Sequence, residues 1–111
     1  MLEMMQGDAG TIGIRPKWKV RDQEGHVVGY EIIPIGAISA VEIALGDNVK
    51  TYPGDITYEN EYFHFPFSQE ESLMLAGEMP LIVRIRFKDG QVRGKLVSEV
   101  IMFKTKSREV I

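Results

Sequence analysis

The stretch "PLIVRIRFKDGQVRG" constrains the fold most, because it joins two alternating runs through a tight-turn signal. One parity of its first run is apolar and consists of Leu81, Val83, Ile85 and Phe87. Arg84 and Arg86 take the other parity, so the run predicts a strand with one face in a core. Asp89–Gly90 tolerates the positive φ angles that a tight hairpin turn requires. The stretch therefore predicts a β-hairpin.

Short alternating runs separated by turn signals continue through the rest of the chain, which is the pattern of an all-β protein. In "AISAVEIALG", one face carries Val41, Ile43 and Leu45. "DITYENEYFHFPF" predicts a second hairpin that turns at Glu59–Asn60. Pro16 cannot donate to a strand ladder, so the strand before it lies at an edge or ends there.

The last run, Val92 to Lys104, carries apolar residues on both parities. A strand of this kind must bury both faces or contain a β-bulge, which we place near Gly94.

The segment Gln69 to Ala76 is the one helical candidate. Ser68 can accept an N–H of the first helical turn, and Glu71 completes a capping box. Gly77 supplies a stop signal. Because so short a helix does not stand alone, we predict a crossover from one sheet to the other.

These elements predict an all-β fold: a single β-sandwich, immunoglobulin-like in size, with seven or eight short strands and one short helical crossover. A small β-barrel is the alternative. The length of 111 residues predicts one domain, residues 1–111, with a core of its own.

Composition excludes several classes of function. The chain has no cysteine, which removes disulfides, thiolate metal sites and a cysteine nucleophile. Its net charge of −3 disfavours non-specific nucleic-acid binding. We expect no signal peptide, because "MLEMMQGDAG" lacks a basic start and a long apolar run. No apolar stretch approaches the length of a membrane helix.

Candidate chemical residues are few and scattered. His26 follows a glycine in a predicted turn and His64 lies between phenylalanines, so we expect neither to bind a metal. Asp55, Glu59 and Glu61 flank the predicted hairpin without calcium-loop spacing. An enzyme would need His64 as general base, oriented by Glu61 or Glu59. We expect no catalytic residue, metal or cofactor.

Exposed aromatic residues are the candidates for partner contact, because such side chains anchor protein and sugar partners. They are Trp18, Tyr30, Tyr52, Tyr58 and Tyr62. The stretch "RPKWKVR" is the best basic–aromatic patch, and alternation predicts Lys17, Lys19 and Arg21 on one face.

Four stretches carry a resemblance to a known group: "MLEMMQGDAGTIGIRP", "VEIALGDNVKTYPGDITYENEYFHFPFSQEES", "VRIRFKDGQVRG" and "KSREVI". Together they resemble small proteins encoded in phage and prophage structural regions of Firmicutes. They are also similar to the N-terminal immunoglobulin-like β-sandwich modules of baseplate and tail proteins. Ser68 stands where the resemblance leads us to expect threonine.

The resemblance implies a non-enzymatic structural or accessory protein that works through protein–protein contacts in the baseplate, tail or head. Its partners would be other virion or prophage proteins, or further copies of the chain, and not nucleic acid or membrane. It would reside in the bacterial cytoplasm or the assembled virion. The alternative is a small-ligand or carbohydrate-binding β-sandwich module that uses the same aromatic residues.

Overall fold

A computed structural model describes residues 1–111, which form ten β-strands and one short α-helix. The strands are β1 (Leu2–Met5), β2 (Gly10–Ile14), β3 (Lys17–Arg21), β4 (Val27–Ile32), β5 (Ile38–Leu45), β6 (Asn48–Tyr52), β7 (Thr57–Glu59), β8 (Tyr62–Phe67), β9 (Gly77–Phe87) and β10 (Val92–Phe103). The helix α1 spans Gln69–Leu73. It is five residues long, and no helix has the length and apolar character needed to cross a membrane.

The strands form three separate sheets rather than a closed barrel. The main sheet has the order β1-β10-β9-β5-β6, the small sheet has the order β2-β8-β7, and β3 and β4 pair only with each other. β1 runs parallel to β10, and the other pairs are antiparallel. The predicted all-β, sandwich-like fold with one short helix is confirmed.

The strand number is ten, which exceeds the predicted seven or eight. Both additional strands depend on their pairing partners. The residues on either side of Pro16 form two strands in different sheets, β2 and β3. β1 joins the edge of the main sheet beside the C-terminal strand.

The core lies where the main sheet and the small sheet meet, and its sixteen buried residues form one cluster. Phe63 and Phe65 of β8 enter it from the small sheet, and both are fully buried. The predicted inward face of β5 enters it from the main sheet, together with the predicted inward residues of β9 as far as Ile85. Burying each such side chain stabilises the fold by about 1.5–3 kcal/mol.

Helix α1 connects β8 of the small sheet to β9 of the main sheet, as predicted. The capping box is present: the Glu71 N–H donates to the Ser68 hydroxyl at 3.1 Å, and the Ser68 N–H donates to the Glu71 carboxylate at 2.9 Å. The helix ends at Leu73 and not at Ala76. Gly77, with a φ of 81°, begins β9 instead of ending the helix, because the chain must turn there to rejoin the main sheet.

Two predicted local features lie a few residues from their observed positions. The β7–β8 turn is Asn60–Glu61, where both φ angles are positive, and not Glu59–Asn60. The bulge in β10 lies at Val97 and not at Gly94, because the register with β9 shifts between Leu96 and Ser98. The bulge changes which parity of β10 faces inward. After it, Val100 and Met102 are buried in the core, whereas Val92 and Leu96 before it are exposed on the outer face.

Candidate functional site

Residues 17–32 form a two-stranded hairpin that is separate from the other two sheets, and we call this hairpin the arm. Its two strands pair with no other strand. The molecule measures 56 × 27 × 22 Å and its radius of gyration is 16.0 Å. A compact chain of this length would have a radius of gyration of about 13 Å. The elongation agrees with an arm that projects from the two packed sheets.

The base of the arm is fixed to the main sheet. The Trp18 indole stacks on the Phe87 ring, with 6.4 Å between ring centroids and 19° between planes. The Ile33 N–H donates to the Pro16 carbonyl oxygen at 3.0 Å, and both of these residues are buried. Beyond this base the arm depends on its own strand pairing.

One face of the arm is cationic and aromatic. Opposite residues of an antiparallel pair point to the same side, so Tyr30 shares a face with Lys19, its cross-strand partner. Lys17 and Arg21 lie on this face too, which confirms the predicted grouping of the three cations. None of the three is in an ion pair, and Tyr30 is 64% exposed. We call this surface the cationic face.

The tip of the arm is a hydrogen-bonded turn. The Asp22 carboxylate accepts the backbone N–H groups of Glu24 and His26, each at 2.9 Å. His26 Nδ1 lies 3.6 Å from carboxylate oxygens of both acidic residues. All three side chains are exposed. The turn accounts for their convergence, since an Asp side chain commonly bonds to the backbone two residues on.

The five aromatic residues singled out from the sequence do not form one surface. Trp18 pairs with Glu31 and therefore lies on the arm face opposite Tyr30. Tyr52 and Tyr58 are half-buried and pack against Phe63, at centroid distances of 5.1 and 4.8 Å. Tyr62 begins β8 and lies outside the arm, and the Arg15 guanidinium stands 5.2 Å from the centroid of its ring. Only Trp18 and Tyr30 belong to the arm.

His64 is half-buried on the small sheet, opposite Thr57 of β7. Its Nε2 lies 3.2 Å from the backbone carbonyl oxygen of Glu59, which is its one hydrogen-bonding contact. It forms no ion pair with the carboxylates of Glu59 or Glu61. His64 therefore lacks the orienting carboxylate that the enzyme hypothesis assigned to Glu61 or Glu59.

A second exposed surface, which the sequence did not predict, lies on the main sheet. The outer face of the main sheet carries an apolar row across four strands, which consists of Val49, Ala44, Ile82 and Leu96. The next row holds Glu42 and Arg84, joined by two hydrogen bonds of 2.9 Å. The Arg84 hydrogen bond lowers the pKa of Glu42 despite some desolvation. In "PLIVRIRF", Ile82 has the same parity as the outward-facing Arg84 and Arg86, and this apolar residue on the outward parity indicates the row.

The sequence matches no protein-family model and no curated protein.

Proposed function

We propose that this chain is a non-enzymatic, phage- or prophage-encoded structural or accessory protein. It would act through protein–protein contacts in the assembly of a baseplate, tail or head, and would reside in the bacterial cytoplasm or the assembled virion. The projecting arm is the observation that supports a role in protein–protein contact. The resemblance of the four sequence stretches supports the phage or prophage origin.

The arm has the composition and exposure of a contact surface. An isolated two-stranded hairpin is marginally stable in water, so a partner that covers it would also stabilise it. Tryptophan, tyrosine and arginine dominate the binding energy of protein interfaces. The arm presents Trp18, Arg21 and Tyr30 together with Val28, which is 63% exposed. Free backbone groups on its outer edges add a means of strand pairing with a partner.

A small-ligand or carbohydrate site has weaker support. Such a site needs a concavity with two or more aromatic rings. Trp18 and Tyr30 lie on opposite faces of the arm. Two surface depressions lie on the outer face of the main sheet and at residues 22–24, and neither contains an aromatic residue. The geometry therefore favours protein contact over this alternative.

Site-specific cross-linking tests the proposal. We expect a photoreactive phenylalanine analogue in place of Tyr30 to form a cross-link to a particle protein, in induced prophage-bearing cells and in purified particles. The same analogue in place of the half-buried Tyr52 is the matched control and should form none. Mass spectrometry of the cross-linked products identifies the partner. The absence of any particle-protein product at position 30, in both preparations, would overturn the proposal.

A further inference from the structure

Resting on the proposed function, we propose that the cationic face of the arm binds an acidic edge on a second copy of this chain. The acidic edge is β7, which ends at Glu59, together with the flanking residues Asp55 and Glu61. The association would be reciprocal, with each arm on the edge of the other copy.

The charges on the two surfaces are complementary. Residues 47–78 contain seven carboxylates and one cation, Lys50. Lys50 is already paired with Glu71, at 2.9 Å. Six exposed carboxylates without an ion pair remain: Asp47, Asp55, Glu59, Glu61, Glu70 and Glu78. Three of these carboxylates, Asp55, Glu59 and Glu61, belong to the acidic edge. They equal in number the three cations of the cationic face, which have no ion pair.

The acidic edge can also accept a strand. β7 is the last strand of the small sheet and pairs only with β8. Its outer N–H and C=O groups therefore have no ladder partner, which makes it a template for strand addition. Alternate residues of an added strand point to the same face and lie about 6.6–6.8 Å apart. Lys17, Lys19 and Arg21 would therefore form a row on one face of the extended sheet, next to the carboxylates of the acidic edge on that face.

The position of the arm favours reciprocal exchange. Arg15 lies two residues before the arm, and its guanidinium stands over the ring of Tyr62, the residue after Glu61. The base of the arm and the acidic turn are therefore neighbours on the surface. A two-fold axis beside them would bring each arm against the other copy's acidic edge. Two-fold contacts of this kind are closed, so they yield a dimer and not a filament.

Sedimentation velocity with charge-reversal variants tests this inference. We expect the wild-type chain to dimerise in low salt, about 0.03 M, and to dissociate in about 0.5 M, because salt screens exposed charges. Lys17→Glu/Lys19→Glu should weaken dimerisation at least about tenfold. Arg93→Glu/Lys95→Glu, on exposed residues of β10, makes the same change in net charge outside the arm. This control should stay within about twofold of wild type.

A mixing experiment separates specific pairing from general charge effects. Glu59→Lys/Glu61→Lys should also fail to dimerise alone, because its cationic arm would meet a cationic edge. Mixed with Lys17→Glu/Lys19→Glu, it should form a one-to-one heterodimer, since both arm–edge contacts then join opposite charges. Recovery in the mixture also shows that both variants are folded. Circular dichroism of each variant checks the fold directly.

Three results would overturn the inference: a wild-type chain that stays monomeric in low salt, arm variants that dimerise as well as wild type, or no heterodimer in the mixture. A monomeric wild type that binds a short DNA duplex would assign the cationic face to nucleic acid instead. The cross-link at position 30 distinguishes the two proposals. If it joins the arm to another particle protein while self-association fails, only this inference falls.

Discussion

At the residue scale, Glu71 performs two structural tasks with one carboxylate. It accepts the Ser68 N–H and so completes the helix cap, and it pairs with Lys50 across the fold. The Lys50 hydrogen bond, followed by the Ser68 backbone hydrogen bond, lowers the pKa of Glu71. The Lys50 ammonium also lies 5.6 Å from the centroid of the Phe65 ring. The Glu71 carboxylate thus links the crossover to β6, an edge strand of the main sheet, and Lys50 extends the contact to Phe65 in the core.

The lowered pKa predicts how Glu71→Gln changes with pH. A carboxylate whose pKa falls on folding adds stability above its unfolded pKa of about 4.3 and loses it as the pH falls through the folded value. We expect wild type to exceed Glu71→Gln by on the order of 1 kcal/mol at neutral pH, with the gap closing in acid. Urea unfolding across pH measures it. Glu70→Gln, at an exposed neighbour, is the control. A gap that is constant with pH would contradict the assignment.

At the element scale, the arm is a hairpin that pairs with no other strand, so its position relative to the main sheet depends on the contacts at its base. Its predicted cationic face is exposed, and its other face is only partly covered. Trp18 contacts Phe87 near the end of β9, so the stack joins the arm to the main sheet. Aromatic pairs contribute about 0.5–1.5 kcal/mol beyond their burial. This contact therefore governs how far the arm opens independently of the core.

Trp18→Ala should loosen the arm without unfolding the core. We expect the amides of residues 17–32 to exchange hydrogen at least about tenfold faster, because local opening is controlled by local contacts. Amides of β5 and β9 should keep their wild-type rates. Hydrogen exchange in about 0.5 M salt, where the proposed dimer is dissociated, measures this effect. Tyr30→Ala, on the other face of the arm, is the matched control. Equal acceleration throughout the main sheet would refute a local role.

At the scale of the whole molecule, the buried side chain of Gln6 joins segments that are far apart in sequence. Its Nε2 donates to the Leu75 carbonyl oxygen at 2.8 Å. Its Oε1 accepts the Thr105 N–H at 3.3 Å. Ser72, which is also buried, accepts the Gly7 N–H at 2.9 Å. The N-terminal strand, the crossover and the segment after β10 are thus closed together by polar contacts.

Gln6→Leu should lower global stability. Leucine fills a similar volume but leaves the Leu75 carbonyl and the Thr105 N–H without their partner, which costs about 1–3 kcal/mol. Urea unfolding gives the free energy of unfolding, and hydrogen exchange shows which residues open. Glu3→Gln, at an exposed position of β1, should change stability by less than about 0.5 kcal/mol. Unchanged global stability with faster exchange in residues 2–8 alone would show that Gln6 only fastens the N-terminal strand.

Local features of this fold follow from residues close together in the sequence. The inward face of β5 and the Arg84 and Arg86 positions follow from alternation, since strand geometry imposes a period of two. The capping box follows from side chains three residues apart, whose hydrogen bonds form within one turn. The grouping of Lys17, Lys19 and Arg21 has the same origin. These patterns predicted the fold class and the grouping of the three cations on one face of the arm.

Features that join distant residues required the folded chain. Alternation gives the two faces of a strand but not its neighbours, so the parallel pairing of β1 with β10 was not predicted. Tyr52 and Tyr58 carry no local sign that they pack against Phe63, because the packing of the two sheets decides their burial. The arm projects for the same reason: its pattern specifies a hairpin, and the absence of a third strand beside it is a property of the assembled sheets. Short-range geometry thus determines each element, whereas contacts between elements determine which of its faces remain available to a partner.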